Sequence, residues 1–153
     1  ISGLLILFSR SYVVGDIIRV NDQEGVVTDI SLRVSTIKTA DGIETLIPNR
    51  LAYGNILQNR TAFPTLRRTL EFQLPPSLDP IAACALASKA TRDLEGMISE
   101  PAAQTEAVLT ADGLIRLRVH YWVPSRDAPA DLGTRVIAAV TGALSQQTPI
   151  QKP

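Results

Sequence analysis

The sequence is poor in the residues that most chemistry needs. One cysteine (Cys84) and one histidine (His120) occur in 153 residues. A single cysteine excludes a disulfide framework, and this pair cannot supply a Cys/His metal set. Aromatics make up 5% of the chain, and fifteen Lys plus Arg balance fifteen Asp plus Glu, so the formal net charge is zero. Wrapping nucleic acid needs an excess of cations, and binding single strands needs stacked aromatics among them, so both are disfavoured. No stretch reaches the roughly 20 apolar residues that a membrane-crossing helix requires. The longest early apolar run, Ile1 to Ser9, ends at Arg10. It lacks a basic start and a small-residue cleavage site, so it does not read as a signal peptide. It has no strand alternation and reads as a helix end. With Ile rather than Met at position 1, the chain is expected to be a fragment of a longer protein.

What is present is apolar and patterned. Hydrophobic residues make up 45% of the chain, which argues against disorder. Ile17 to Val20, Gly25 to Ser31, Ser35 to Thr39, Ile43 to Ile47 and Ile56 to Asn59 are short runs rich in Val, Ile and Thr, which suit pleated strands. Gly15-Asp16, Asn21-Asp22-Gln23 and Ala40-Asp41-Gly42 supply turn chemistry between them. Pro48-Asn49 opens a short helical piece through Leu51 and Tyr53, with Asn49 as its expected N-cap. Five short strands with tight turns suggest a small antiparallel barrel that hides its edges by closure.

After Pro64 the period changes. Leu66 to Leu74 reads as a strand. Asp79-Pro80 is a helix start, with Asp as the cap and Pro in the first turn. Ala83, Leu86, Ala87, Ala90, Leu94 and Met97 then fall on one helix face. Thr105 to Thr110 and Leu114 to Val123 read as a hairpin around Ala111-Asp112-Gly113. Asp127 to Asp131 opens a second helix whose apolar face is Leu132, Val136, Ile137, Val140 and Leu144. The order strand, helix, strand, strand, helix predicts an α+β layer with both helices on one sheet face. Gln146 to Pro153 reads as a tail.

No catalytic set emerges. His120 lies in the alternating strand Arg116-Leu-Arg-Val-His-Tyr-Trp122 and reads as a strand histidine facing solvent or a neighbouring subunit. Cys84 sits beside an apolar helix face, without a local His or Lys, and reads as an inert thiol. The carboxylates are scattered, and Gly25-Val-Val-Thr-Asp29 is a strand rather than a phosphate-binding loop. Arg67-Arg68 reads as a solvated or salt-bridged strand edge. The two Ala-Asp-Gly turns have different flanks and read as independent turns. Catalytic, cofactor and metal residues are all expected to be absent.

An ordered series nonetheless stands out: Tyr12-Val-Val-Gly-Asp-Ile-Ile-Arg-Val20, Gly25-Val-Val-Thr-Asp-Ile30, Ser35-Thr-Ile-Lys-Thr-Ala-Asp-Gly42, Leu46-Ile-Pro-Asn-Arg-Leu51 and Gly54-Asn-Ile-Leu-Gln-Asn59. It resembles the small-conductance mechanosensitive channel (MscS) family. That family carries an aromatic and a Gly-acid pair after the pore helix, then a Gly-Val strand, a Thr-x-Asp-Gly hairpin and an Ile-Pro-Asn turn. The matching residues are Gly15, Asp16, Gly25, Asp41, Gly42, Pro48, Asn49 and Asn55. The likeness continues more weakly through Arg67-Arg68, the Asp79 helix, Trp122 and the second helix.

The resemblance implies an Sm-like β-domain over 11–62 and a ferredoxin-like α/β domain over 63–146. It implies the end of a pore-lining transmembrane helix over 1–10, with Gly3, Leu4, Leu5 and Phe8 in it, and a tail over 147–153. It implies the cytoplasmic vestibule of a homo-oligomeric channel, usually a heptameric ring, in a bacterial inner membrane. Such a channel opens under tension and releases ions and small solutes in hypo-osmotic shock. Lipid contact would come through upstream helices missing here, and no cofactor or nucleic acid is implied. Ring assembly would bury Leu51, Tyr53, Ile56 and Leu57. Twelve Arg against three Lys, with much Ala, points to a GC-rich bacterium.

Two departures stand out. Arg10-Ser11-Tyr12 replaces the family's Arg-Pro-aromatic, which leaves the helix end less sharply stopped. The chain also stops at Thr148-Pro-Ile-Gln-Lys-Pro153, without the strand that builds a C-terminal barrel in many members. The alternative from another class is a soluble Sm-like nucleic-acid-binding module, which the neutral charge disfavours. A ligand-binding regulatory domain lacks a convergent polar set.

Overall fold

A computed structural model describes residues 11–146. The expected pore-helix residues Gly3, Leu4, Leu5 and Phe8, and the expected tail 147–153, lie outside the described residues. The chain divides into two compact units, Ile1–Pro64 and Thr65–Pro153.

In the first unit β1 (Ile17–Val20), β2 (Gln23–Ile30), β3 (Val34–Lys38), β4 (Glu44–Pro48) and β5 (Leu57–Asn59) form one antiparallel sheet in the order β4-β3-β2-β1-β5. The short helix α1 (Asn49–Gly54) joins the two ends of that order. Alternation sets the core. Ile18, Val20, Val27, Ile37 and Ile47 point inward and pack with Tyr12 and Ala52, while Arg19, Val26 and Leu46 point outward. β2 starts at Gln23, two residues earlier than expected, because Val20 pairs directly with Gln23 across the Asn21-Asp22 turn. A bulge between Val27 and Asp29 shifts the β2–β3 register.

Two expectations change here. Closure by strand pairing does not occur among the described residues, since β4 and β5 are the edges of the sheet. Asn49 is not a cap. Pro48 holds the cap position, without a side-chain bond, and Asn49 lies inside the helix, 1% exposed.

The second unit places β8 (Ile115–Pro124) between β6 (Thr65–Gln73) and β7 (Gln104–Leu109), all antiparallel. Helices α2 (Pro80–Thr91) and α3 (Leu132–Ser145) supply the rest of the core. Leu117, Val119, Tyr121 and Val123 alternate inward and join Ala83, Ala87, Leu132, Val136, Val140 and Leu144. The intervening Arg116, Arg118, His120 and Trp122 are half-buried, on the opposite face of β8. Asp79 caps α2 as expected, its Oδ2 accepting from the Ala82 N–H at 2.9 Å, with Pro80 at the start.

Three helix details differ from expectation. α2 stops at Thr91, whose hydroxyl turns back onto the Ala87 carbonyl at 2.9 Å. Leu94 and Met97 therefore pack on the core from the following turn, not from the helix. Ile137 is 44% exposed, because the buried stripe of α3 runs 132, 136, 140, 144 and Ile137 lies one residue off it. Asp131 precedes α3 without a capping bond, and its carboxylate instead meets Arg135 Nε at 3.0 Å.

Candidate functional site

The chemistry of the first unit gathers where residues 11–16 run into the sheet. Two polar networks hold that incoming segment.

The first runs through the core. Tyr12 is 2% exposed, and its hydroxyl lies 2.7 Å from Ser35 Oγ. Ser35 Oγ donates to Asn49 Oδ1 at 2.7 Å, and Asn49 Nδ2 donates to the Ser31 carbonyl at 2.8 Å. A serine hydroxyl has one proton, and Ser35 gives it to Asn49. Tyr12 must therefore be the donor to Ser35. The order Tyr12 to Ser35 to Asn49 to Ser31 ties the incoming segment to β3, α1 and the β2–β3 turn. Burial pushes the Tyr12 phenol pKa above its ordinary value, and the Ser35 hydrogen bond opposes this in part.

The second network centres on Asp16, which is 6% exposed. Its Oδ2 accepts from the Val13 N–H at 3.0 Å and from Asn59 Nδ2 at 2.9 Å. Its Oδ1 accepts from Thr61 Oγ1 at 2.9 Å. Buried carboxylates need such donors, because desolvating the charge is costly otherwise. Thr61 Oγ1 also accepts from the Ile17 N–H at 3.1 Å, and Asn59 Nδ2 reaches the Ser11 carbonyl at 3.3 Å.

The other motif residues shape the backbone. Gly15 and Gly42 have φ of +95° and +81°, a region costly for residues with a Cβ. At Gly25 the constraint is space. A Cβ there would lie 2.5 Å from the Lys38 carbonyl oxygen, so β2 and β3 can approach as they do only with glycine. Asp41 sits exposed in the Thr39–Gly42 turn, where the Gly42 N–H donates to the Thr39 carbonyl at 2.9 Å. Pro48 closes β4 opposite Val34. Asn55 ends α1, its side-chain amide donating to the Leu51 carbonyl at 2.8 Å.

The structure thus brings Asp16 and Asn49 into buried networks at the incoming segment. It leaves Gly25, Asp41, Gly42 and Asn55 in separate turns and strands. Sequence reasoning missed Ser35, Asn59 and Thr61. Ser35 carried a readable signal, a polar residue at an inward strand position. Asn59 and Thr61 carried none, because their partner Asp16 lies 43 and 45 residues away.

Outside these networks the first unit exposes several large apolar residues among its polar ones. Tyr53 is 55% exposed and Ile56 84%, with Leu51 also exposed. Leu57, expected beside them, packs against the core instead.

The second unit shows a charged lattice across its sheet. His120 Nδ1 lies 2.8 Å from Thr69 Oγ1, and its Nε2 lies 3.2 Å from Glu106. Arg118 meets Glu71 at 2.6 Å, and Arg116 meets Asp112 at 3.2 Å. In the β7–β8 turn the Asp112 carboxyl pKa is lowered, first by the Thr110 hydroxyl, then by the Leu114 N–H and Arg116. Cys84 is partly buried against the core. Among the described residues no group of three or more His, Cys, Asp or Glu could hold a metal, and no helix is long and apolar enough to cross a membrane.

Comparison with known proteins finds likenesses to mechanosensitive channels. Residues 1–62 match the family model described as "Mechanosensitive ion channel, beta-domain". An "Uncharacterized MscS family protein" of Aquifex aeolicus (strain VF5) is 41% identical over 61 residues, 40% of this chain and 17% of the relative. The "Miniconductance mechanosensitive channel MscM" of Escherichia coli (strain K12) is 42% identical over 50 residues, 33% of this chain and 4% of the relative. The chain thus spans a small part of the curated relatives' length. Two solved structures extend the likeness in fold to both units. The crystal structure of Helicobacter pylori MscS in a closed state has a TM-score of 0.83 at 16% identity, covering 96% of this chain and 58% of that one. The cryo-EM structure of Arabidopsis thaliana MSL1 has a TM-score of 0.69 at 20% identity, covering 94% and 53%.

A five-stranded sheet held by these motifs is followed by an α/β unit, and the fold of both is shared with those two solved structures. Residues 1–62 match the mechanosensitive ion channel β-domain, the curated matches are an MscS family protein and a mechanosensitive channel, and both units share the fold of solved MscS structures.

Proposed function

We propose that this chain is the cytoplasmic vestibule portion of a mechanosensitive ion channel that opens under membrane tension. Open, it releases ions and small solutes during hypo-osmotic shock. One observation carries the reading: the mechanosensitive β-domain match over residues 1–62 coincides with an incoming segment fastened by two buried networks. A segment that receives movement from an upstream pore helix needs such anchorage. In this reading residues 1–10, with Gly3, Leu4, Leu5 and Phe8, end the pore helix. Residues 11–62 form the β-domain, 63–146 the α/β domain and 147–153 a tail. Gly15, Asp16, Gly25, Asp41, Gly42, Pro48, Asn49 and Asn55 shape the β-domain.

The channel is a homo-oligomer, a heptameric ring, in the inner membrane of a bacterium with this region on the cytoplasmic side. The exposed apolar residues Leu51, Tyr53 and Ile56 support assembly, because large apolar side chains left in solvent favour contact with a partner. The chain carries no enzymatic activity in this reading. The test is osmotic. A bacterium lacking its own tension-gated channels, supplied with the full-length protein, survives abrupt dilution and releases solute within the shock. Lysis equal to that of the unsupplied strain contradicts the proposal.

A further inference from the structure

The chain comes into the first unit along residues 11–16 and leaves it along residues 59–64. These two stretches are fastened to each other rather than only to the sheet. Asp16 holds Asn59 and Thr61 through both of its oxygens, at 2.9 Å each. The Ile17 N–H donates to Thr61 Oγ1, the Arg60 N–H donates to the Ile17 carbonyl at 2.8 Å, and Asn59 reaches the Ser11 carbonyl. Residues 17–58, with most of the sheet, form a loop closed by this cluster. The Tyr12–Ser35–Asn49 network differs in kind, since it joins the incoming segment to β3 and α1 inside that loop.

We propose that Asp16, Asn59 and Thr61 form a mechanical clamp that passes load from the incoming segment to the chain leaving toward Thr65 at the outer ends of β1 and β5, bypassing the rest of the sheet. A pull between the two stretches meets a buried carboxylate bonded to both, and charge-assisted hydrogen bonds are the stiffest polar links available there. Asp16 is a positioning residue in this account. Its functional meaning rests on the channel reading above: movement of an upstream pore helix would reach the second unit without deforming the first.

The test pulls the whole 153-residue chain in an optical trap. Handles are attached at Ser11→Cys and Pro64→Cys in a Cys84→Ser background. Thr61→Val is near-isosteric and removes the hydroxyl that both donates to Asp16 and accepts from Ile17. It is expected to open roughly 10- to 100-fold faster at equal load. Tyr12→Phe cuts the network that ties the incoming segment to β3 and α1 rather than to the outgoing stretch, and its opening rate stays within about twofold of the parent. Asp16→Asn is a second clamp variant and follows Thr61→Val if it folds. Equal acceleration in Thr61→Val and Tyr12→Phe, or none in Thr61→Val, overturns the clamp. A full-length protein that passes no tension-activated current removes the channel reading alone, because the rates under load still decide the clamp.

Discussion

Substituting Asn49 by Asp separates two roles that the same residue could have held. As a helix cap, Asn49 would tolerate Asp with a change of a few tenths of a kcal/mol, and Ala would cost about 1 kcal/mol. As the node between Ser35 and Ser31, it cannot tolerate Asp. One carboxylate oxygen could still accept from Ser35. The other would take the place of Nδ2, 2.8 Å from the Ser31 carbonyl oxygen. Two acceptors would then face each other at a position 1% exposed. Losing one net hydrogen bond removes about 1 kcal/mol, and stranding buried polar groups adds about 1–3 kcal/mol, more for a charged group. The expected cost is about 3 kcal/mol, near 100-fold in the unfolding equilibrium. Native-state hydrogen exchange at the amides of β3 reads this in the first unit. The Asn49→Asp variant should exchange there about 100-fold faster through global opening. An Asn49→Asp variant within about 0.5 kcal/mol of the parent, with Asn49→Ala near 1 kcal/mol, would refute the node and restore the cap.

Three further outcomes follow from the same geometry. The Tyr12 phenol keeps its proton to higher pH in the folded state than in the unfolded one, so its contribution is complete below the unfolded value of about 10 and falls as pH rises above it. The stability margin of the parent over Tyr12→Phe should therefore shrink as pH rises above about 10 in denaturant titrations, and a constant margin would contradict the burial argument. Gly25→Ala should cost about 1–3 kcal/mol in urea unfolding, because a Cβ 2.5 Å from the Lys38 carbonyl meets backbone that cannot turn aside; a neutral result would mean that β2 and β3 separate freely. Ile56→Asp should leave the melting temperature nearly unchanged, since Ile56 is 84% exposed, but should shift the full-length assembly toward monomers in sedimentation, and an intact ring would remove Ile56 from the proposed contact.

Local chemistry in the sequence carried much of the fold. Asp79-Pro80 is a helix start by its own atoms, and alternation along Leu117 to Val123 needs only neighbours. The failures came where distance or degeneracy intervened. Asn at a helix start serves equally as a cap or a buried node, and only Ser35, fourteen residues away, decides between them. Helical spacing continued through Leu94 and Met97 because both residues do reach the core, although the backbone leaves the helix at Thr91. Ile137 fitted the period within one residue, a tolerance that spans the difference between core and solvent. For the site, the Gly-acid pair at Gly15-Asp16 was visible as a motif. What Asp16 does was not, because its partners belong to the far end of the unit and no local pattern marks them.

The central claim is that this chain belongs to a pore opened by membrane tension. Patch-clamp recording of the full-length protein in liposomes tests it most directly. Stepwise currents that appear as suction rises and vanish as it is released are the predicted result. Silence at every tension up to rupture of the membrane would contradict it.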